Sequence, residues 1–252
     1  MPDPTRAARR LLLLSNSRDA EGRYLAHARD ALAEHLAGVR EAAFVPYAAV
    51  TISWDAYAER VAAALAPLGV RVRGVHARGD APGAHAALVR DAEAVLVGGG
   101  NTFHLLREVQ RHGLLEVVRA RAAEGVPYAG WSAGSVVACP TIRTTNDMPV
   151  VEPAGGFAAL GLVGFQINAH FTDAHPPGFM GETRRERLAE FVAANPSVGV
   201  VGLPEGSWLR AAGCAVWVAG AYPALLFRHA AEPEPVEPGT QLPGWLEPAT
   251  NL

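Results

Sequence analysis

The sequence predicts an α/β fold: a mostly parallel sheet with helices on both faces and a short antiparallel β extension near the C-terminus. Two observations carry this. Short apolar runs of strand length alternate with longer stretches of helical period, as βαβ units require. Several strand runs, Leu11 to Leu14 and Ala94 to Val97 among them, are also continuously apolar, which marks strands covered on both faces. With 252 residues, 50% hydrophobic and 19% charged, the chain is long enough for one such domain with a sizeable core.

Each element has its own reason. A strand is predicted at 10–15, where Leu11 to Leu14 form an apolar run too short to span a bilayer or to act as a signal segment, closed at once by polar Ser15-Asn16-Ser17. Helical periodicity covers 24–36 and 54–68, with strands between and after them at 42–47 and 70–75. A helix at 83–92 leads to a strand at 94–97 that ends in Gly98-Gly99-Gly100. Helices at 102–112 and 114–124 precede a strand at 127–129 and a small-residue helix at 132–139. A strand at 165–168 comes next. The helix at 183–194 starts on a capping box, Thr183 with Glu186 three residues on, and leads to a strand at 198–203. Beyond it, 208–211, 215–219 and 224–228 are separated by Gly and Pro, as three short antiparallel strands would be. Residues 1–231 are read as one catalytic domain. The segment 232–252 is rich in Pro and Glu and is expected to be a mobile or loosely docked tail, and 1–9 to fray.

Composition excludes whole classes of chemistry. The 22 Lys+Arg residues are all arginine, in a chain also rich in alanine. Without lysine there is no P-loop lysine, no Schiff base, no kinase strand lysine and no Ser-Lys dyad. A net charge of −3 leaves no electrostatic footprint for nucleic acid or an anionic membrane surface. Cys139 and Cys214 form no disulfide framework and no ligand spacing, which suits a reducing compartment.

Gly130-Trp131-Ser132-Ala133-Gly134 reads G-x-S-x-G between a strand and a helix start. In that context it is a nucleophile elbow: small neighbours allow the tight turn that lifts the Ser132 hydroxyl over the helix N-terminus. The triple glycine fails as a dinucleotide loop, since the sixth position from Gly98 is Phe103, and as a phosphate loop for want of lysine. It remains a run of unobstructed N–H groups suited to an oxyanion hole shared with Ala133, and Gly99 and Asn101 are expected to line the substrate site. Of nine histidines, His27, His35, His85, His104 and His112 fall in helical patterns, while His76 and His229 end short strands. His170 follows a strand at its carboxyl end and is preferred over His175 as the base. The acid is Glu205, at another strand end, or Asp147 in a polar loop, with Glu205 preferred because a strand end holds a carboxylate more rigidly. His170, Asp173 and His175 lack a further close donor of the usual kind, so no metal is expected. Arg184 shares a helical face with Leu188 and Phe191 while Arg187 points away, which makes Arg184 an inward guanidinium suited to a carboxylate.

With those residues in place, the chain resembles the peptidase E (α-aspartyl dipeptidase) family. The matching pieces are LLLLSNS (11–17), VGGGNTFHLL (97–106), GWSAGSVVACPTIRTTNDMP (130–149), QINAHFT (166–172), GETR (181–184) and GLPEG (202–206). The resemblance implies a class I glutamine amidotransferase-like fold, a cytoplasmic setting, no cofactor, and a serine exopeptidase that releases aspartate from Asp-X dipeptides. It places the triad on Ser132, His170 and Glu205, a proposed relay aspartate on Asp147, oxyanion donors on Gly100 and Ala133, and a substrate-carboxylate arginine on Arg184. Departures are an extra glycine at Gly155-Gly156, Ala169 where proline is common, and the Pro-rich tail. A small Asp-X peptide is the expected partner, with no nucleic acid and no membrane, and a homodimer is held open. The alternatives are a cyanophycinase-like hydrolase of Asp-Arg isopeptides and a silent aspartate- or peptide-binding module of the same fold.

Overall fold

A computed structural model describes residues 9–79, 81, 83–174 and 177–246. Two sheets share the core. The larger joins β1 (Arg10–Leu14), β2 (Glu41–Val45), β3 (Arg71–Gly74), β4 (Ala94–Val97) and β5 (Tyr128–Trp131) in the order β3-β2-β4-β5-β1, all parallel. The smaller begins with β6 (Gln166–Phe171) and β7 (Val200–Pro204), which pair in parallel. The chain then reverses into β8 (Ser207–Ala212) and β9 (Ala215–Gly220), antiparallel additions to β1 in the larger sheet. Finally β10 (Ala224–Phe227) and β11 (Glu234–Val236) return to the smaller sheet against β7.

Side chains of β1 alternate between two cores, as a strand's period dictates. Leu12 and Leu14 pack with Phe44 and Trp131 under α1 (Arg29–His35) and α2 (Trp54–Leu65). Leu11 and Leu13 face the other way, in the core that holds α3 (Ala84–Asp91), α4 (Thr102–Arg111), α5 (Leu114–Ala123) and α6 (Ala133–Val136). Ile167, Ala169, Val201 and Leu203 of the smaller sheet join that same core, and α7 (Arg184–Ala194) covers the sheet's outer face through Leu188 and Val192.

The structure departs from the sequence reading in three places. The three late strands are not one extension: β8 and β9 widen the larger sheet, while β10 joins the smaller. Ser132 follows β5 of the larger sheet, whereas His170 lies on β6 of the smaller one. The helix read at 24–36 is α1 preceded by a 3-10 turn at Ala26–Ala28, because Leu25 adopts φ 56°. The segment expected to be loose is instead tied down as far as it is described: β11 pairs with β10, and Val236, Leu242 and Leu246 are buried. Those three apolar residues repeat too sparsely among Pro and Glu to show as a pattern. Among the described residues no helix is long and apolar enough to cross a membrane.

Candidate active site

β5 runs straight into α6, and Ser132 is the joint. It takes φ 52° and ψ −115°, a strained conformation for a residue with a side chain, and its N–H is held by the Leu14 carbonyl at 3.0 Å. Gly134 permits the turn, since a Cβ there would lie 2.1 Å from the Val97 carbonyl oxygen. The hydroxyl is thereby lifted off the sheet at the start of α6.

His170 comes from β6, at an irregularity between Ala169 and Phe171 where it adopts φ 54°. Its Nε2 lies 2.9 Å from Ser132 Oγ and its Nδ1 lies 2.6 Å from Glu205 Oε1. With Nδ1–H donating to the carboxylate, Nε2 is left to accept the serine proton. Glu205 occupies the turn between β7 and β8, where the two sheets meet.

Two polar residues just past β1 hold this junction together. Ser15 Oγ accepts from the His170 N–H at 2.8 Å and donates to the Leu203 carbonyl at 2.7 Å, tying the ends of β6 and β7 to the end of β1. Asn16 Oδ1 accepts from the Gly206 N–H at 2.9 Å and fixes the turn carrying Glu205. Sequence reasoning did not single out either residue as functional. The signal available was their position: polar side chains directly after four buried leucines, at the carboxyl edge of a central strand.

The triple glycine lies beside the elbow. A Cβ on Gly99 would stand 2.9 Å from the Ser132 Cβ, and Gly100, at φ 137°, would strike the Ala48 carbonyl at 2.3 Å with any side chain. The Gly100 and Ala133 N–H groups have no hydrogen-bond acceptor among the described residues, so both are available to a ligand. The loop's orientation is set by Tyr57, whose hydroxyl donates to the Gly99 carbonyl at 2.9 Å. That hydroxyl also accepts from Trp131 Nε1 and Tyr24 Oη, each at 3.0 Å. Burial pushes the Tyr57 phenol above its ordinary pKa, so it stays a neutral donor. A helical apolar pattern hides such a residue, and no sequence signal distinguished it.

Asn101 and Asp147 are placed elsewhere in the machinery. Asn101 caps α4, accepting from the His104 N–H at 3.0 Å and donating to the Met148 carbonyl at 2.9 Å. Asp147 Oδ2 accepts from the Thr102 N–H at 2.8 Å and from the hydroxyls of Thr102 and Thr145, so it reinforces the same helix start and is not brought to the His170 ring. Asp173 is held by Arg185 Nη2 at 2.6 Å, and His175 lies outside the described residues.

Arg184 opens α7 half-buried on the face of Leu188, while Arg187 points outward and pairs with Glu182 at 2.9 Å. Arg184 Nη1 is buried with no hydrogen-bond partner among the described residues. Desolvation pulls its pKa below the ordinary guanidinium value and the negative charge of Glu205 works against that. A buried, unpaired guanidinium nitrogen is costly unless an anion satisfies it.

The profile of peptidase family S51 matches residues 11–218. A protein named peptidase E from Citrobacter koseri is 48% identical over 229 residues, which is 91% of this chain and 98% of that protein. Among solved structures, a peptidase from an acI-B1 Actinobacterium superposes with a TM-score of 0.67 at 16% identity, over 93% of this chain and 96% of that one. A Listeria monocytogenes EGD-e protein described as a candidate peptidase E does so at 0.62 and 21% identity, over 84% and 98%. The last two speak for the fold, and the first two for the lineage. A serine at a strained elbow, in reach of a histidine that a carboxylate orients, is what a serine peptidase requires, and the chain belongs to peptidase family S51.

Proposed function

We propose that this serine peptidase hydrolyses dipeptides with an N-terminal aspartate, acts in the cytoplasm, and releases free aspartate through an acyl-enzyme. The observation that carries the reading is the Ser132–His170–Glu205 chain, at 2.9 and 2.6 Å, with the Arg184 guanidinium close enough to interact with the Glu205 charge and its Nη1 without a partner among the described residues. His170 Nε2 takes the Ser132 proton as Oγ attacks the carbonyl carbon of the aspartyl residue, and the N–H groups of Gly100 and Ala133 hold the oxyanion. Collapse breaks the peptide bond, and His170 gives the proton to the departing amine. Water then enters, loses a proton to His170 and attacks the ester, freeing aspartate and regenerating Ser132. Arg184 reads the substrate's β-carboxylate, and its planar fork suits that group better than a point charge would.

The test is hydrolysis of Asp-X dipeptides by four variants. Ser132→Ala should lower turnover by roughly 10⁴–10⁶-fold, and near wild-type activity in that variant would remove the assignment. Arg184→Lys should raise KM for Asp-X although the charge is kept. Glu205→Gln should lower turnover by orders of magnitude with an unchanged melting temperature. Asp147→Asn should chiefly weaken the α4 cap and lower the melting temperature. An Asp147→Asn enzyme of normal thermal stability that is slower than Glu205→Gln would transfer the relay role to Asp147.

A further inference from the structure

A cavity of about 490 Å³ lies between α7, the loop at 141–147 and the start of α4. Ser132, His170, Glu205 and Arg184 do not line it, so it is separate from the catalytic centre. Three aromatic rings form its walls. Phe103 and Phe157 meet edge-on at 6.1 Å between centroids, and Phe157 remains 47% exposed. Phe191 lies beneath the guanidinium of Arg143, 5.2 Å from ring centroid to Cζ.

Four charged side chains line the same cavity, and two of them are already satisfied. Asp147 is engaged by Thr102 and Thr145, and Arg187 is paired with Glu182. Arg143 and Glu190 have no partner of opposite charge among the described residues. Arg143 donates to neutral oxygens, Asn195 Oδ1 at 2.9 Å and Thr141 Oγ1 at 3.4 Å, and has no carboxylate partner among the described residues. Glu190 has no cationic partner among them either. A guanidinium and a carboxylate in one aromatic-walled cavity, each without an ion-pair partner among the described residues, are complementary to a zwitterion with an apolar body.

We propose that this cavity binds a free α-amino acid with an aromatic or large apolar side chain. Its carboxylate meets Arg143, its ammonium meets Glu190, and its side chain lies among Phe103, Phe157 and Phe191. Such an amino acid is the second product of Asp-X hydrolysis when X is apolar; that link rests on the function proposed above, and the binding itself does not. Asp147, on the cavity wall, holds the first residue of α4, two positions after Gly100, and so connects the cavity to the oxyanion loop.

Calorimetric titration of the full chain with L-phenylalanine tests this. Binding is expected at one site, at least tenfold weaker for N-acetyl-L-phenylalanine, which lacks the ammonium, and for L-phenylalaninamide, which lacks the carboxylate. Arg143→Met and Glu190→Gln should each weaken it at least tenfold; Glu190 is exposed on α7, so its variant folds whatever Arg143→Met does. Saturating L-aspartate should not displace the ligand. No binding of L-phenylalanine, binding unchanged in the Glu190→Gln chain, or displacement by aspartate overturns the proposal. Tighter binding of Gly-Phe than of L-phenylalanine also overturns it, by assigning the cavity to a peptide. A chain that binds L-phenylalanine but does not cleave Asp-X overturns only the catalytic reading, and the converse result overturns only this one.

Discussion

Tyr57 touches no reacting atom in the proposed reaction, yet its hydroxyl decides where an oxyanion donor points. The Gly99 carbonyl and the Gly100 N–H belong to one peptide unit, and in a trans peptide they point in opposite directions. Holding the carbonyl on Tyr57 Oη therefore aims the N–H away from that hydroxyl. Because the same hydroxyl accepts from Trp131 Nε1, the loop is fixed to the residue preceding Ser132. Tyr57→Phe should lower kcat about tenfold with little change in KM, a fraction of the roughly 10²–10³ that loss of a whole oxyanion donor costs. Affinity for a tetrahedral transition-state analogue should fall by the same factor. A raised KM with unchanged kcat would show that Tyr57 shapes substrate binding instead.

Among the elements, α1 is docked by a titratable contact. His35, its last residue, is buried, and its Nε2–H donates to the Tyr128 carbonyl on β5 at 3.0 Å. Burial pushes the imidazole down to about 4, although the Tyr128 hydrogen bond works the other way, and the positive charges of Arg10 and Arg210 add to the depression. The unfolded chain takes up a proton near the ordinary histidine value of about 6.5, whereas the folded chain resists until about 4. Stability from this group is therefore complete above about pH 6.5 and is lost as pH falls toward 4. Between pH 7 and pH 5 the loss amounts to about 2 kcal/mol. Urea unfolding of the wild-type chain and of His35→Gln at both pH values should show that extra loss in the wild type alone. Equal losses in the two would assign the effect to other groups.

Across the whole molecule, the last described segment runs along one edge of each sheet. β11 pairs along β10 at the edge of the smaller sheet, while residues 239–242 bond to β9, with Val218 N–H to the Thr240 carbonyl at 3.0 Å and Leu242 N–H to the Val216 carbonyl at 2.7 Å. Open strand edges and the apolar faces behind them are thereby covered. Removing residues 232–252 exposes the sites of Val236, Leu242 and Leu246, a cost on the order of 5 kcal/mol. The melting temperature should then fall by roughly 10–20 °C, and an unchanged value would mean that the segment is an appendage without structural weight. By itself the sequence determined the alternating α/β order, the elbow serine, and a histidine and glutamate at strand ends, because these depend on local periodicity and on residues adjacent in the chain. It also suggested the inward face of Arg184, since a helix wheel is local. Tertiary structure alone decided that His170 and Glu205 rise from a second sheet, and that Ser15 and Asn16 of β1's end lock them beside Ser132. It also decided that Asp147 braces the start of α4 while Tyr57 orients the glycine loop. Each of those roles is a hydrogen bond between residues from 35 to 190 positions apart or a choice among several donors in reach, and no spacing along a chain encodes which donor a buried oxygen will meet.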